Sequence, residues 1–137
     1  MAYWLIKSEP DAFSWAQQVE HGVEPWTGVR NHAAKLNLRA MRTGDRAFFY
    51  HSNTGKEIVG IVEVVREAYP DPTAEDGADW SAVDVRAVRP LKQPVTLAAI
   101  KADPALADMA LVRLSRLSVS PVTPAEWKHI CALGGVR

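Results

Sequence analysis

Residues 57–66, EIVGIVEVVR, limit most tightly what this chain can fold into. The run is dominated by β-branched side chains, which are stiff at χ1 and fit a pleated surface better than a helix. So apolar a segment has to be a buried strand, and the rest of the chain has to supply a sheet around it. Gly60 interrupts the run, and a glycine inside a strand marks a bulge or a close approach of other structure.

Other segments supply partners for that strand. Residues 3–7 (YWLIK) and 46–51 (RAFFYH) are strand-like, as is 81–89, where Val83, Val85 and Ala87 alternate with Asp84 and Arg86. Residues 113–120 (RLSRLSVS) also read as a strand, with Leu114 out of phase with Leu117 and Val119. Helices are announced by their caps. Ser14 and Gln17 have capping-box spacing, with Gly22 as the stop. Asn31 caps a helix over 32–42. A short helix over 96–100 is interrupted at Asp103-Pro104. Thr123, Pro124 and Glu126 open a last helix that Gly134-Gly135 ends. Residues 43–45 and 52–55 are turns and 69–77 a loop. Strands and helices do not alternate as βαβ units, so the expectation is one α+β domain over 1–137, a curled or barrel-like sheet flanked by short helices.

Composition removes several functions. A chain of 137 residues buries a core without staples, and its 1 cysteine, Cys131, allows no internal disulfide. That fits a reducing compartment, with the cytoplasm as the expected location. No apolar run is long enough for a membrane helix. The formal net charge of +0 argues against indiscriminate attachment to phosphate backbones. His21, His32, His51 and His129 lack metal-ligand spacing, so no metal or cofactor is expected. YHSNTGKE ends like a phosphate loop, but Tyr50 stands at its first glycine and Glu57 at the magnesium-holding hydroxyl. There is no GxSxG elbow, and no catalytic pair is evident.

Four polar segments at element edges remain: 7–10 (KSEP), 26–31 (WTGVRN), 50–53 (YHSN) and 115–118 (SRLS). Such groups converge readily on the mouth of a barrel-like sheet. Each also has a structural reading. Trp26 either plugs the core or walls a pocket. Asn31 caps its helix and still has part of its amide to offer. Glu9 is a solvated loop residue or a pocket acid. Ser52 and Asn53 are ordinary turn residues. His32 and His51 suit the surface or a hydrogen-bonded core. Arg116 is an edge cation or the partner of a buried acid such as Glu63 or Asp84. Lys35, Arg39 and Arg42 share a helix face that is either solvated or phosphate-binding.

Taken together, YWLIKSEP at 3–10, WTGVRNHAAKLNLRAM at 26–41, GDRAFFYHSN at 44–53, GIVEVVREAYPDP at 60–72 and SRLSVSPVTPAEW at 115–127 resemble the EVE domain of the PUA-like superfamily. The resemblance implies a PUA-like β-barrel, a curled mixed sheet with surrounding helices, in a family whose relatives bind RNA or modified bases. It also implies a pocket made by Lys7, Ser8 and Glu9, by Trp26, Val29, Arg30 and Asn31, by Tyr50, His51, Ser52 and Asn53, and by Arg116, Leu117 and Ser118. His32 departs from the tyrosine that commonly follows VRN in the family.

The expected function is a non-catalytic module that reads a methylated or hydroxymethylated base in DNA or RNA. Trp26 would stack on the base, with Tyr50 or His32 as a second wall, and Asn31, Ser52 and Asn53 would read its edge. Val29 and Leu117 would seat the methyl group. Arg30, Lys35, Arg39, Arg42 and Arg116 would hold phosphates. The alternatives are an enzyme on a modified base or nucleotide, with Glu9 or His51 as acid or base, and a small-molecule or peptide binder. No protein partner can be named from the sequence.

Overall fold

The structure is a computed structural model and describes residues 1–136. Six strands make one mixed sheet in the order β2-β5-β4-β3-β1-β6. Their ranges are β1 Tyr3–Ser8, β2 Val23–Trp26, β3 Arg46–His51, β4 Glu57–Pro70, β5 Ser81–Thr96 and β6 Val119–Val122. β1 and β3 run parallel, and every other pair is antiparallel. The helices are α1 Trp15–His21, α2 His32–Ala40, α3 Leu97–Ala102, α4 Ala110–Arg113 and α5 Pro124–Leu133, with a 3-10 turn at Pro104–Leu106. None is long and apolar enough to cross a membrane.

Strand alternation feeds two cores, one on each face of the sheet. In β1, Leu5 goes to one and Trp4 and Ile6 to the other; in β3, Phe48 and Tyr50 separate from Phe49 in the same way. This is why RAFFYH carries three adjacent aromatics: the strand is covered on both sides. Helices α3 to α5 supply Ile100, Leu111, Trp127 and Ile130 to the first core, while α2 supplies Ala34 and Leu38 to the second. The second core also takes Trp26 from edge strand β2 and Val119, the first residue of edge strand β6. The sheet therefore curls until its two edges share one interior. It stays open, however, because no ladder joins β2 to β6, so the barrel-like expectation holds as a curled sheet and not as a closed barrel.

Gly60 meets both of its expectations. The β3–β4 register shifts between Phe49 and Tyr50, the β4–β5 register shifts between Ile58 and Gly60, and a Cβ on Gly60 would stand 2.5 Å from the Trp15 ring. Both capping boxes form, at Ser14/Gln17 and Thr123/Glu126.

Four boundaries differ from the sequence. β2 was not foreseen because Pro25 cannot donate to a ladder, yet β2 is an edge strand paired only with β5, where a missing donor is tolerated. β4 runs on to Pro70, pairing Tyr69 with Ala82 and Pro70 with Ser81, and β5 runs on past Arg89 to Thr96, where it pairs with Glu57. At the Tyr69 end of this ladder the Arg66 guanidinium lies 3.7 Å from the Tyr69 ring, and the Tyr69 hydroxyl donates to Asp84 at 2.5 Å. α2 stops at Ala40, since Met41 turns fully into the core as its cap. The strand expected over 113–120 is instead the end of α4, a turn, and the first two residues of β6. Arg116 thus sits on a turn. The acids proposed as its partners are engaged elsewhere, Glu63 with Arg86 and Asp84 with Tyr69.

Candidate functional site

An open cleft of about 570 Å³ lies between β2 and the end of β1, where the sheet fails to close. Lys7 and Ser8 come from the end of β1 and Glu9 from the residue after it, Glu24 to Trp26 from β2, and Ser118 from the residue before β6. The turn from Thr27 to Asn31 and the pair Ala12 and Phe13 complete the lining.

The 26–31 turn is held from behind. Gly28 has a left-handed φ of 79°, which suits a residue without Cβ. Its N–H donates to Asp71 Oδ2 at 2.8 Å, and Arg30 Nη1 donates to the same oxygen at 3.0 Å. Asp71 Oδ1 accepts the Thr73 N–H and hydroxyl, both at 2.7 Å. Arg30 Nη2 in turn donates to Thr73 Oγ1 at 3.2 Å. The Asp71 side chain is 0% exposed. Burial alone would raise its pKa, but the hydrogen bonds from Thr73, Gly28 and Arg30 outweigh that and hold it at about 2. Trp80 adds a ring 5.5 Å from the Arg30 guanidinium and 5.3 Å from Lys35 Nζ. None of Asp71, Thr73 or Trp80 stood out in the sequence. The pattern Asp71-Pro72-Thr73, in which an Asx turn folds a carboxylate onto its own backbone, was the available signal.

Trp26 is both plug and wall. It is 8% exposed and packs edge-to-face on Phe49 at 5.5 Å and Phe13 at 6.1 Å. Most of its area belongs to the core, so the cleft receives only a margin of the ring. Phe13, which the sequence did not single out, is the second aromatic there. Val29 is buried in the wall. Asn31 is exposed; its Oδ1 caps α2 by accepting from Ala34 N at 2.9 Å. Its Nδ2 makes no hydrogen bond among the described residues.

The 50–53 segment does not line the cleft. Tyr50 is 3% exposed in the opposite core, because alternation along β3 turns it away from Phe49. His51 Nε2 accepts the Trp15 N–H at 3.0 Å and so anchors α1; burial holds this imidazole below its ordinary pKa. Ser52 donates its backbone N–H to Ser8 O at 2.9 Å, and Asn53 Nδ2 donates to Glu9 Oε1 at 2.7 Å. These two brace the rim residues Ser8 and Glu9 from outside. His32 is exposed at the start of α2 and lies outside the lining.

The cations divide in the same manner. Lys35 and Arg39 both engage Asp79, and Arg39 Nε also donates to Ser81 Oγ at 2.9 Å. Arg42 lies 3.8 Å from Glu67. All three therefore face carboxylates. Lys7 donates to Ser115 O at 2.8 Å. Arg116 and Leu117 line a separate, shallow depression of about 300 Å³, which shares Asn31 with the cleft. A further cavity of about 560 Å³ beside Tyr3, Trp127 and Cys131 has few polar groups to orient a ligand.

The whole chain can be set beside known proteins. The family profile described as the EVE domain matches residues 2–133. Human thymocyte nuclear protein 1 is 35% identical over 96% of this chain and 73% of that protein. The solved structure of Rpa0253 from Rhodopseudomonas palustris is 65% identical with a TM-score of 0.93, covering 98% of this chain and 94% of that one. Human THYN1 in complex with 5-methylcytosine-containing DNA is 33% identical with a TM-score of 0.91, covering 100% and 99%. An ASCH protein from Zymomonas mobilis, 13% identical with a TM-score of 0.60, shares the fold alone.

Proposed function

The chain belongs to the EVE domain family, and on that premise we propose that it is a non-catalytic DNA-binding module whose cleft receives a methylated cytosine drawn out of its stack. One observation carries the reading. The gap in the curled sheet pairs an apolar wall, Phe13, Trp26 and Val29, with unlike polar groups at its rim, Glu9 and Asn31. A cytosine presents an amine donor beside ring and carbonyl acceptors. The Glu9 carboxylate suits the amine, with Asn53 steadying its other contact. The Asn31 Nδ2 donor suits an acceptor. The apolar wall suits a methyl group. That a relative of 33% identity is seen with 5-methylcytosine-containing DNA supports DNA as the polymer. Binding without turnover is the reading this lining favours: His51 is turned away and hydrogen-bonded to Trp15, which leaves Glu9 without a histidine beside it in the cleft.

The test is fluorescence anisotropy with duplexes that differ only in 5-methylcytosine against cytosine, alongside RNA of the same sequence. Asn31→Ser keeps a helix cap and removes the amide donor. A polar group left unpaired when the base covers it costs about 1–3 kcal/mol, so this variant should bind the methylated duplex roughly 5- to 150-fold more weakly. Equal affinity for both duplexes, unmoved by Asn31→Ser, would overturn the reading. Stronger binding to RNA would reassign the polymer.

A further inference from the structure

The depression beside the cleft has a chemistry of its own. Leu114, Ser115, Arg116 and Leu117 form it, and Asn31 is the residue it shares with the cleft. Its turn is pre-set by three contacts: Leu117 N–H to Leu114 O at 3.0 Å, Lys7 Nζ to Ser115 O at 2.8 Å, and Lys7 N–H to Ser118 O at 3.0 Å. Lys7 thereby ties the depression to the cleft wall. Arg116 is exposed and, among the described residues, has no hydrogen bond or ion pair. It differs in this from Arg30, Lys35, Arg39 and Arg42, each of which already meets a carboxylate. Leu114, 55% exposed, puts an apolar side chain beside the cation.

We infer that residues 114–117 form a second subsite, for the phosphodiester and sugar next to the base held in the cleft. The nucleic-acid backbone then runs across Asn31 towards Arg116, and not along the α2 face where Asp79 and Glu67 already occupy the cations. A guanidinium suits a phosphate because its planar fork donates two parallel hydrogen bonds. Leu114 suits the carbon face of a sugar. The inference rests on the proposed function, since it assigns the neighbour of a base in the cleft. It also fits a chain of net charge +0, which gains little from distributed attraction and needs one placed cation.

The experiment measures affinity against salt for an oligonucleotide carrying 5-methylcytosine, and separately for the nucleoside 5-methyl-2′-deoxycytidine, which has no phosphate. Arg116→Gln should weaken oligonucleotide binding and lower the salt slope by about 0.9 on duplex, the change for one lost phosphate contact. It should leave nucleoside binding as it was. Arg39→Gln, which removes a cation already paired with Asp79, should leave the slope unchanged. An unchanged slope in Arg116→Gln, or a reduced slope in Arg39→Gln instead, would overturn the subsite while the base-binding reading stood. Equal loss of nucleoside binding in Arg116→Gln would place that side chain in the cleft and likewise overturn it. Absence of oligonucleotide binding by the unaltered protein would end the functional reading, and the subsite with it.

Discussion

Asp71→Asn removes a charge on which the cleft depends without touching the cleft. One Asp71 oxygen accepts from Gly28 and Arg30, the other from Thr73 twice. Asparagine would replace one oxygen with a donor facing donors. The stabilisation from the ionised form follows from proton linkage. A carboxyl held at about 2 instead of 3.8 contributes about 2 kcal/mol to folding, since each tenfold in proton affinity is about 1.4 kcal/mol. The folded pKa is depressed, so this stability is fully present above 3.8 and fades as the pH falls towards 2. At about pH 3 roughly half of it should remain. Urea unfolding of both proteins at about pH 7 and pH 3 measures it. The substitution should cost about 2 kcal/mol or more at the higher pH and distinctly less at the lower. Hydrogen exchange should quicken at Gly28 or at Thr73, whichever N–H is left facing the new amide group. A cost within about 0.5 kcal/mol of zero, or one that does not shrink on acidification, would refute the account of the 26–31 turn.

Gly60→Ala would press a methyl group onto the Trp15 ring at 2.5 Å. It should destabilise by about 1–3 kcal/mol or more in the same urea assay, and a near-neutral result would show that the ring has room to move. His51 is kept neutral below its ordinary 6.5, so the unfolded chain takes up its proton first and stability should decline as pH falls below 6.5. His51→Gln, which retains an acceptor for the Trp15 N–H, should flatten that part of the profile; an unaltered slope would assign the effect to another group.

Elements whose signal is local were legible in the sequence. The caps at Ser14, Asn31 and Thr123 need only residues a turn apart, and each forms as spaced. The buried run in β4 and the bulge at Gly60 are equally local. What escaped depends on partners distant in the chain. β2 exists because β5 pairs with it, and nothing within VEPW announces that. The 114–118 turn is fixed by Lys7, more than a hundred residues earlier. Tyr50 and Asn53 illustrate the same limit at the cleft. Sequence places them beside polar neighbours, but strand alternation sends Tyr50 to the far core, and Asn53 reaches Glu9 without reaching the cleft. The paired state of Lys35 and Arg39 was hidden because Asp79 lies at the end of a long loop.

The claim that the gap in the sheet is where a methylated cytosine enters can be tested residue by residue by following backbone and indole N–H signals in NMR spectra. The additions are a 5-methylcytosine duplex and its unmethylated twin. The largest methyl-dependent changes should fall on Ser8, the Trp26 indole, Val29 and Asn31. The same changes centred on Tyr3, Trp127 and Cys131, around the apolar cavity beside α5, would contradict it.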